Sequence, residues 1–233
     1  MENYKNYEFL LFDADRTLFD FDASEKAAFY EVAPKYGITP DEKVHKLYCR
    51  LNNENWEALE RGEFTKERIL VRRYEQLFES LNIKNQSAEN INRDYLASLA
   101  DKSFVFSESE PLLREMRKRG KKIYLVTNGV KFVQDGRIAR SPLKDLFDGV
   151  FISEEIGYEK PDIHFFEAVE RGIAGFDKSR AVVVGDSISS DIKGANNYGL
   201  DCIWLNEKGA PAPQNLKITV IIKSLNELYD ILK

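Results

Sequence analysis

Cysteine and histidine are scarce in this sequence of 233 residues, and their scarcity excludes several kinds of site. The two cysteines, Cys49 and Cys202, are far apart and form no C-x-x-C pair. We therefore expect two ordinary, semi-buried thiols in a reducing compartment and no disulfide framework. The two histidines, His45 and His164, are isolated in the sequence, so neither is assigned a metal-binding or catalytic role.

Long apolar runs and an excess of basic residues are also absent. The first six residues contain no apolar core of a signal peptide, and no stretch approaches the length of a membrane span. The net charge is −5, from 34 basic and 39 acidic residues, whereas proteins that bind nucleic acid polymers are usually basic. We expect a soluble, cytoplasmic protein, monomeric or homodimeric, that binds neither membranes nor nucleic acid polymers. A small phosphorylated metabolite remains possible as a ligand, because a local cation can hold it.

The pattern of apolar residues divides the chain in two. From about Asp22 to Leu99, apolar residues recur at helical spacing without β-branched runs, with Thr65 and Ser87 as N-caps. Beyond residue 100, strands and helices alternate, which predicts a parallel sheet with helices on both faces. We therefore expect an α/β core formed by residues 1–18 and 100–233 and an all-helical domain over 19–99, inserted after the first strand. Strands are predicted at 9–12, 123–126, 150–152, 181–184, 202–205 and 218–221.

Two carboxylates, Asp13 and Asp15, directly follow the first strand, 9–12, whose continuous apolar run is typical of a strand buried on both faces. Repulsion and desolvation both disfavour two acids at the end of a buried strand, and a divalent cation would relieve the repulsion. The simpler interpretation is a polar turn in which Asp15 and Thr17 are turn or cap residues.

Polar groups follow other predicted strands at the same edge of the sheet, where ligands of such sheets bind. They are Thr127 and Asn128 after one strand, Asp186 after another, and Lys160 in a loop. Each taken alone is typical of a turn, a helix cap or a solvated lysine. Together, three carboxylates, a hydroxyl and an ammonium group at one edge favour a functional site.

These segments resemble the four motifs of the haloacid dehalogenase superfamily, in the same order and with room for its helical cap between the first two. The matching segments are 13–17 (DADRT), 127–129 (TNG), 160–161 (KP) and 185–191 (GDSISSD). The resemblance implies a Rossmann-like core with a C1-type cap and a magnesium-dependent phosphohydrolase. Segments 12–15 and 152–157 (ISEEIG) most resemble the pyrimidine-type 5′-nucleotidases. One departure is Arg16, where relatives more often carry glycine, asparagine or an acid, and it concerns local geometry rather than the chemistry.

The resemblance also implies roles for individual residues. Asp13 would attack phosphorus and form an aspartyl-phosphate, and Asp15 would act as general acid and then as general base. Mg²⁺, for which Mn²⁺ could substitute, would be held by Asp13, Asp186 and the backbone carbonyl of Asp15. Asp191 would orient this shell rather than join it.

The remaining phosphate contacts are assigned to Thr127, the backbone of Asn128, and Lys160. The substrate's leaving group would meet the helical domain, whose aromatic residues could stack on a nucleobase or simply form that domain's core. These aromatic residues are Tyr30, Tyr48, Trp56, Phe64 and Tyr74.

Other functions compete with a nucleotidase. A phosphatase or phosphomutase that acts on sugar phosphates or phosphoglycolate-like metabolites would use the same core. A dehalogenase would leave Asp15 and Asp186 without a role, because it protonates no alkoxide and needs no metal. A phospho-acceptor receiver module is about half this length and lacks a helical insert. A non-catalytic binding protein on this fold would be expected to have lost one of the acids, yet all are present.

Overall fold

The computed structural model describes residues 6–233. Residues 1–5, which include most of the segment that lacks a signal-peptide core, lie outside the described part. Between residues 6 and 233, no helix combines the length and the apolar character needed to cross a membrane.

The core of the fold is a six-stranded sheet in which every pair of neighbouring strands is parallel. Its strands are β1 (Phe9–Phe12), β2 (Lys122–Thr127), β3 (Gly149–Ile152), β4 (Ala181–Gly185), β5 (Asp201–Leu205) and β6 (Val220–Ile222). The strand order is β3-β2-β1-β4-β5-β6, so β1 lies in the interior between β2 and β4. The predicted parallel α/β sheet is confirmed, with β6 beginning two residues later than the predicted 218.

Alternation along the strands supplies two hydrophobic layers. Leu10 and Phe12 pack on one face with Leu112 and Met116, whereas Phe9 and Leu11 pack on the other face with the buried side chains of a later helix. Successive side chains of a strand point to opposite faces, so a strand that is apolar throughout is buried on both sides. The helices beyond residue 100 in the chain are α5 (Ser109–Lys118), α6 (Lys131–Arg140), α7 (Ser153–Ile156), α8 (Ile163–Gly172), α9 (Lys193–Tyr198) and α10 (Leu228–Ile231).

The chain divides into two compact units. Of the described residues, one unit comprises 6–21, 104–131 and 138–233, and the other comprises 22–103 and 132–137. The second unit contains α1 (Phe21–Val32), a 3₁₀ turn (Ala33–Tyr36), α2 (Glu42–Glu60), α3 (Lys66–Ser80) and α4 (Ala88–Ala100). Thr65 and Ser87 cap α3 and α4 as predicted, each by accepting a hydrogen bond from a backbone N–H.

The boundaries of the units differ from the predicted 18/19 and 99/100, and the second unit also includes part of α6. Gly136 of α6 lies so close to the end of α4 that an added Cβ would be 2.8 Å from the carbonyl oxygen of Ala100. This close approach joins 132–137 to the helical unit. The sequence pattern contains no sign of it, because the two segments are far apart along the chain.

The helical unit has an aromatic core around a buried arginine. Tyr48, Tyr74 and Tyr95 are almost completely buried, and their ring centroids lie 5.5–5.9 Å apart. The guanidinium of Arg73 lies 5.0–5.8 Å from the three ring centroids. Tyr48 and Tyr74 are therefore core residues, and of the two interpretations of the aromatic residues, the core interpretation holds for them.

Candidate active site

The pairing of three strands brings the candidate acids to one edge. Phe12 is in register with Leu125 of β2 and Val184 of β4, so Asp13 follows β1 beside the last residues of both neighbouring strands. The Asp13 N–H donates to the carbonyl of Val184 at 2.9 Å, which extends the pairing by one residue. Since parallel strands end together, the predicted meeting of polar groups at this edge is observed.

Lys160 lies at the centre of the site and is almost completely buried. Its Nζ donates to Asp13 Oδ1 at 2.8 Å, to Asp191 Oδ1 at 2.7 Å and to the carbonyl oxygen of Val126 at 2.8 Å. All three ammonium protons therefore have an acceptor, as a buried ammonium group requires. The interpretation of Lys160 as a solvated lysine is wrong.

Asn128 holds the backbone of Lys160 in place. Its Nδ2 donates to the Lys160 carbonyl at 2.8 Å, and the Lys160 N–H donates to Asn128 Oδ1 at 2.8 Å. From the sequence, only the backbone of Asn128 is predicted to contribute to the site, and this contact of its side chain is not predicted. Thr127, the preceding residue, is buried, and its hydroxyl accepts a hydrogen bond from the N–H of Gly129 at 3.0 Å.

Asp191 is fully buried, and both of its carboxylate oxygens accept hydrogen bonds. Oδ1 accepts from Lys160, and Oδ2 accepts from the N–H of Ser187 at 3.1 Å. The carboxylate lies directly against Gly185, where an added Cβ would overlap it and would lie only 2.7 Å from the Cβ of Asp191. Glycine at 185 therefore makes room for Asp191 at the end of β4.

Burial and neighbouring charges set the electrostatics of the site. Burial raises the pKa of Asp13 well above its usual value, and Asp191 and Asp186 raise it further, while Lys160 opposes the shift. Burial followed by the charge of Asp191 raises the pKa of Asp186 to about 7. Burial alone would lower the pKa of Lys160, but the negative charges of Asp13 and Asp191 outweigh the effect of burial. The pKa of Lys160 therefore lies above its usual value. The ammonium group is therefore charged, and the carboxylates repel one another.

The same carboxylates form a fitting site for a hard divalent cation. Asp13, Asp186 and Asp191 each place a carboxylate oxygen within 4.8 Å of the others. A site composed only of carboxylate oxygens suits Mg²⁺, which would also relieve the repulsion that raises the pKa values of Asp13 and Asp186. The backbone carbonyl of Asp186 is held by Trp204, whose Nε1 donates to it at 2.9 Å. The side chain of Asp15 is half-buried and does not belong to this group of three.

Arg16, the departure from the family pattern, has a left-handed backbone. Its φ is 62°, a region that glycine or asparagine adopts more readily. Glycine or asparagine, the residues expected from the family pattern, would therefore fit this backbone with less strain than arginine. The guanidinium lies 5.0 Å from the centroid of the Phe21 ring, and its charge partly opposes the rise in the pKa of Asp186.

His45, which is isolated in the sequence, has potential ligand partners in the fold. In the helical unit it lies beside Cys49 and Glu25, and the three offer ligand atoms within 4.8 Å of one another. Glu25 belongs to α1, whereas His45 and Cys49 are one turn apart on α2. Only the packing of two helices brings them together, so no sequence motif marks the group.

Comparison with known proteins agrees with this geometry. The family model described as haloacid dehalogenase-like hydrolase matches residues 7–199. The chain is 34% identical to the pyrimidine 5′-nucleotidase PynA of Streptococcus pneumoniae over 97% of this chain and 95% of PynA. It is 30% identical to the pyrimidine 5′-nucleotidase YjjG of Escherichia coli over 97% of this chain and 98% of YjjG. The crystal structure of the putative hydrolase YfnB of Bacillus subtilis, bound to magnesium, superposes with a TM-score of 0.93 at 30% identity, covering 98% of this chain and 100% of that one.

Proposed function

This chain belongs to the haloacid dehalogenase-like hydrolases, and on that premise we propose that it is a magnesium-dependent phosphatase of nucleoside 5′-monophosphates. The observation that carries the proposal is the position of Asp13. Its carboxylate is buried beside the ammonium of Lys160 and close to a second carboxylate, Asp186. A buried acid at the end of a central strand, with a cation on one side and a candidate metal site on the other, is suited to attack a phosphorus atom.

Asp13 is the proposed nucleophile. Its carboxylate oxygen forms a bond to phosphorus, and the bond between phosphorus and the ester oxygen breaks, which leaves an aspartyl-phosphate. Lys160 keeps its charge during this step because its pKa lies above the usual value, and it stabilises the charge shared by Asp13 and the phosphoryl oxygens. Thr127 and the backbone of Asn128 are proposed to bind the same phosphoryl oxygens.

Asp15 is the proposed acid and base. It donates a proton to the leaving alkoxide in the first step and accepts one from the attacking water in the second, so one residue serves both half-reactions. Its side chain is half-buried, whereas that of Asp13 is held in the interior. This difference supports separate roles for the two acids.

Asp13, Asp186 and the backbone carbonyl of Asp15 are proposed to hold Mg²⁺, with Mn²⁺ as a substitute. When bound, the cation neutralises charge on the phosphate and on the carboxylates. Asp191 orients this shell, because its two oxygens are already engaged by Lys160 and Ser187.

The proposed substrate class is supported by the relatives. Two of them that match nearly the whole chain are named pyrimidine 5′-nucleotidases. Relatives named glyceraldehyde 3-phosphate phosphatase and phosphoserine phosphatase match only about half of the chain, 54% in each case. Sugar phosphates and phosphoglycolate-like metabolites are therefore the second candidate class, with the same core chemistry.

A panel of phosphorylated metabolites, assayed with Mg²⁺ and with EDTA after dialysis, tests the proposal. We expect phosphate release that requires Mg²⁺ or Mn²⁺, with dUMP, dTMP and UMP turned over faster than sugar phosphates. Faster turnover of sugar phosphates would refute the nucleotidase assignment and leave the phosphatase assignment standing. Full activity in EDTA would refute the metal assignment. Transfer of the phosphoryl group to a sugar hydroxyl instead of water would identify a mutase.

A further inference from the structure

A second group of potential metal ligands lies in the helical unit, between α1 and α2. Glu25 and His45 are buried, and Cys49 is half-buried. Cys49 Sγ lies 3.0 Å from Glu25 Oε1 and 3.4 Å from His45 Nε2, and the last two atoms are 3.9 Å apart. One sulfur, one nitrogen and one oxygen donor thus form a small triangle that the proposed phosphatase reaction does not use.

The size of this triangle fits a cation that is bound with tetrahedral coordination. With bonds of about 2.3 Å to sulfur and about 2.0–2.2 Å to nitrogen and oxygen, the ligands of tetrahedral Zn²⁺ lie about 3.3–3.6 Å apart. The observed distances of 3.0, 3.4 and 3.9 Å bracket this range. The Sγ–Oε1 distance is below and the Nε2–Oε1 distance above the tetrahedral value, so shifts of about half an ångström would seat the ion. Residues four apart on one helix face the same side, which places His45 and Cys49 next to each other.

The surroundings orient two of the three ligands. Asn52 Nδ2 donates to Glu25 Oε2 at 2.9 Å, and Arg73 donates to Asn52 Oδ1 at 2.7 Å, which fixes the amide with its NH₂ toward Glu25. The other oxygen, Oε1, faces Cys49. The ring of His45 packs against Phe29 with centroids 5.6 Å apart. Outer contacts of this kind hold ligands in place in known metal sites.

We propose that Glu25, His45 and Cys49 form a zinc site that joins α1 to α2. A mixed sulfur, nitrogen and oxygen set is unsuited to Mg²⁺ and suits a borderline-soft cation. On binding, Zn²⁺ enters, the Sγ–H bond of Cys49 breaks, and its proton leaves to solvent. The thiolate and the carboxylate then balance the two positive charges. Three protein ligands leave one position for water.

The charge state of His45 is consistent with this role. Burial, aided by the charge of Lys26, lowers the pKa of His45, while Glu42 and Asp22 oppose the shift. The imidazole is therefore neutral near pH 7 and has a lone pair to offer. A neutral imidazole is the form that binds metals.

Cobalt, which replaces zinc and gives a near-ultraviolet absorption band when bound to a thiolate, provides the first test. The full-length protein, stripped with chelator and kept in excess Mg²⁺, is titrated with Co²⁺. We expect one equivalent to produce the thiolate band, and Zn²⁺ to remove it. Cys49→Ser should abolish the band, and His45→Gln should weaken Co²⁺ binding at least about tenfold. Cys202→Ser is the matched control and should leave the band intact, because Cys202 is buried in the other unit.

Stability and direct spectroscopy complete the test. Zn²⁺ should raise the melting temperature of the wild type, as any ligand of the native state does, by an amount that Cys49→Ser removes. If a variant fails to fold, X-ray absorption at the zinc edge of the wild-type protein decides. One sulfur at about 2.3 Å supports the site. A shell of oxygen and nitrogen alone, no thiolate band, or a band that persists in Cys49→Ser would overturn the proposal and leave a hydrogen-bonded Cys49–Glu25 pair. These readouts do not depend on phosphatase activity.

Discussion

Asn128 and Lys160 are joined by two hydrogen bonds, each 2.8 Å long, between the side-chain amide of Asn128 and the backbone C=O and N–H of Lys160. Asn128 follows β2, and Lys160 lies in a loop beyond β3 and α7. The side chain of Asn128 thereby fixes the backbone from which the Lys160 ammonium reaches Asp13 and Asp191. A residue whose backbone was assigned to phosphate binding thus also positions the charge at the centre of the site.

The first prediction concerns this pair. Asn128→Ala removes both hydrogen bonds, so we expect Lys160 to lose its fixed position and kcat to fall by about 10–100-fold, because small misplacements of catalytic groups are costly. The requirement for Mg²⁺ should remain. Asn197→Ala is the matched control. The exposed side-chain amide of Asn197 donates at 3.0 Å to the carbonyl of Pro161, the residue after Lys160, rather than to Lys160 itself. Equal kcat values for the two variants, measured at saturating substrate, would contradict the positioning role.

The second prediction is a pH dependence of stability that Mg²⁺ removes. The pKa of Asp186 in the folded protein is raised to about 7, above its ordinary value of 3.8. The native state without metal therefore binds more protons than the unfolded state between these values, and its stability falls as the pH rises from about 4 to about 7. Calorimetric melting in EDTA should show this fall, and Asp186→Asn should reduce it, while the part that comes from the raised pKa of Asp13 remains. With saturating Mg²⁺, which binds the ionised form, the native state no longer takes up these protons, so the fall should disappear over the same range. A fall that is unchanged in Asp186→Asn would rule out Asp186 as its source.

Arg16 carries the third prediction. Its charge opposes the rise in the pKa of Asp186, so Arg16→Met should raise that pKa further. Binding of Mg²⁺ should then release more protons near pH 7, which calorimetric titration in two buffers of different ionisation enthalpy measures. Arg180→Met is the control, because Arg180 is paired with Glu8 at 2.7 Å, at the opposite end of the strands. An unchanged proton release in Arg16→Met would show that the guanidinium does not act on Asp186.

The fourth prediction concerns Gly185 and Asp191. A methyl group at 185 would overlap the buried carboxylate, so Gly185→Ala should lower the free energy of unfolding by about 1–3 kcal/mol and displace Asp191 from Lys160. In the Asp191→Gly background, which removes both the carboxylate and the Cβ, the same substitution should cost much less. A double-mutant cycle from denaturant unfolding measures the difference. Additive effects would mean that Gly185 is required for another reason.

The strands and the main site residues could be predicted from the sequence because their signals are local. The apolar run of β1 ends at Asp13 and that of β4 ends shortly before Asp186, and parallel strands end at one edge. The six predicted strands are all present, with small differences at their ends.

Contacts between distant segments could not be predicted in this way. The amide of Asn128 reaches a residue 32 positions away, and Glu25 meets Cys49 only through the packing of α1 on α2. Gly136 joins part of α6 to the helical unit through a close approach to Ala100 that leaves no trace in hydrophobic periodicity. Such contacts depend on tertiary packing, which one sequence does not display.

The most direct test of the account separates the two acids after β1. Asp13→Asn should abolish turnover of every substrate, because no aspartyl-phosphate can form. Asp15→Asn should still release about one equivalent of p-nitrophenolate per active site from p-nitrophenyl phosphate and then stop, since this leaving group needs no proton but the attacking water needs a base.

With a nucleotide, where the alkoxide must be protonated, Asp15→Asn should show neither burst nor turnover. Rapid-mixing absorbance and phosphate release measure both reactions. A single burst from Asp15→Asn on p-nitrophenyl phosphate, absent from Asp13→Asn, is the predicted result. A burst from Asp13→Asn, or identical behaviour of Asp15→Asn on both substrates, would contradict the assignment of Asp13 as nucleophile and Asp15 as acid and base.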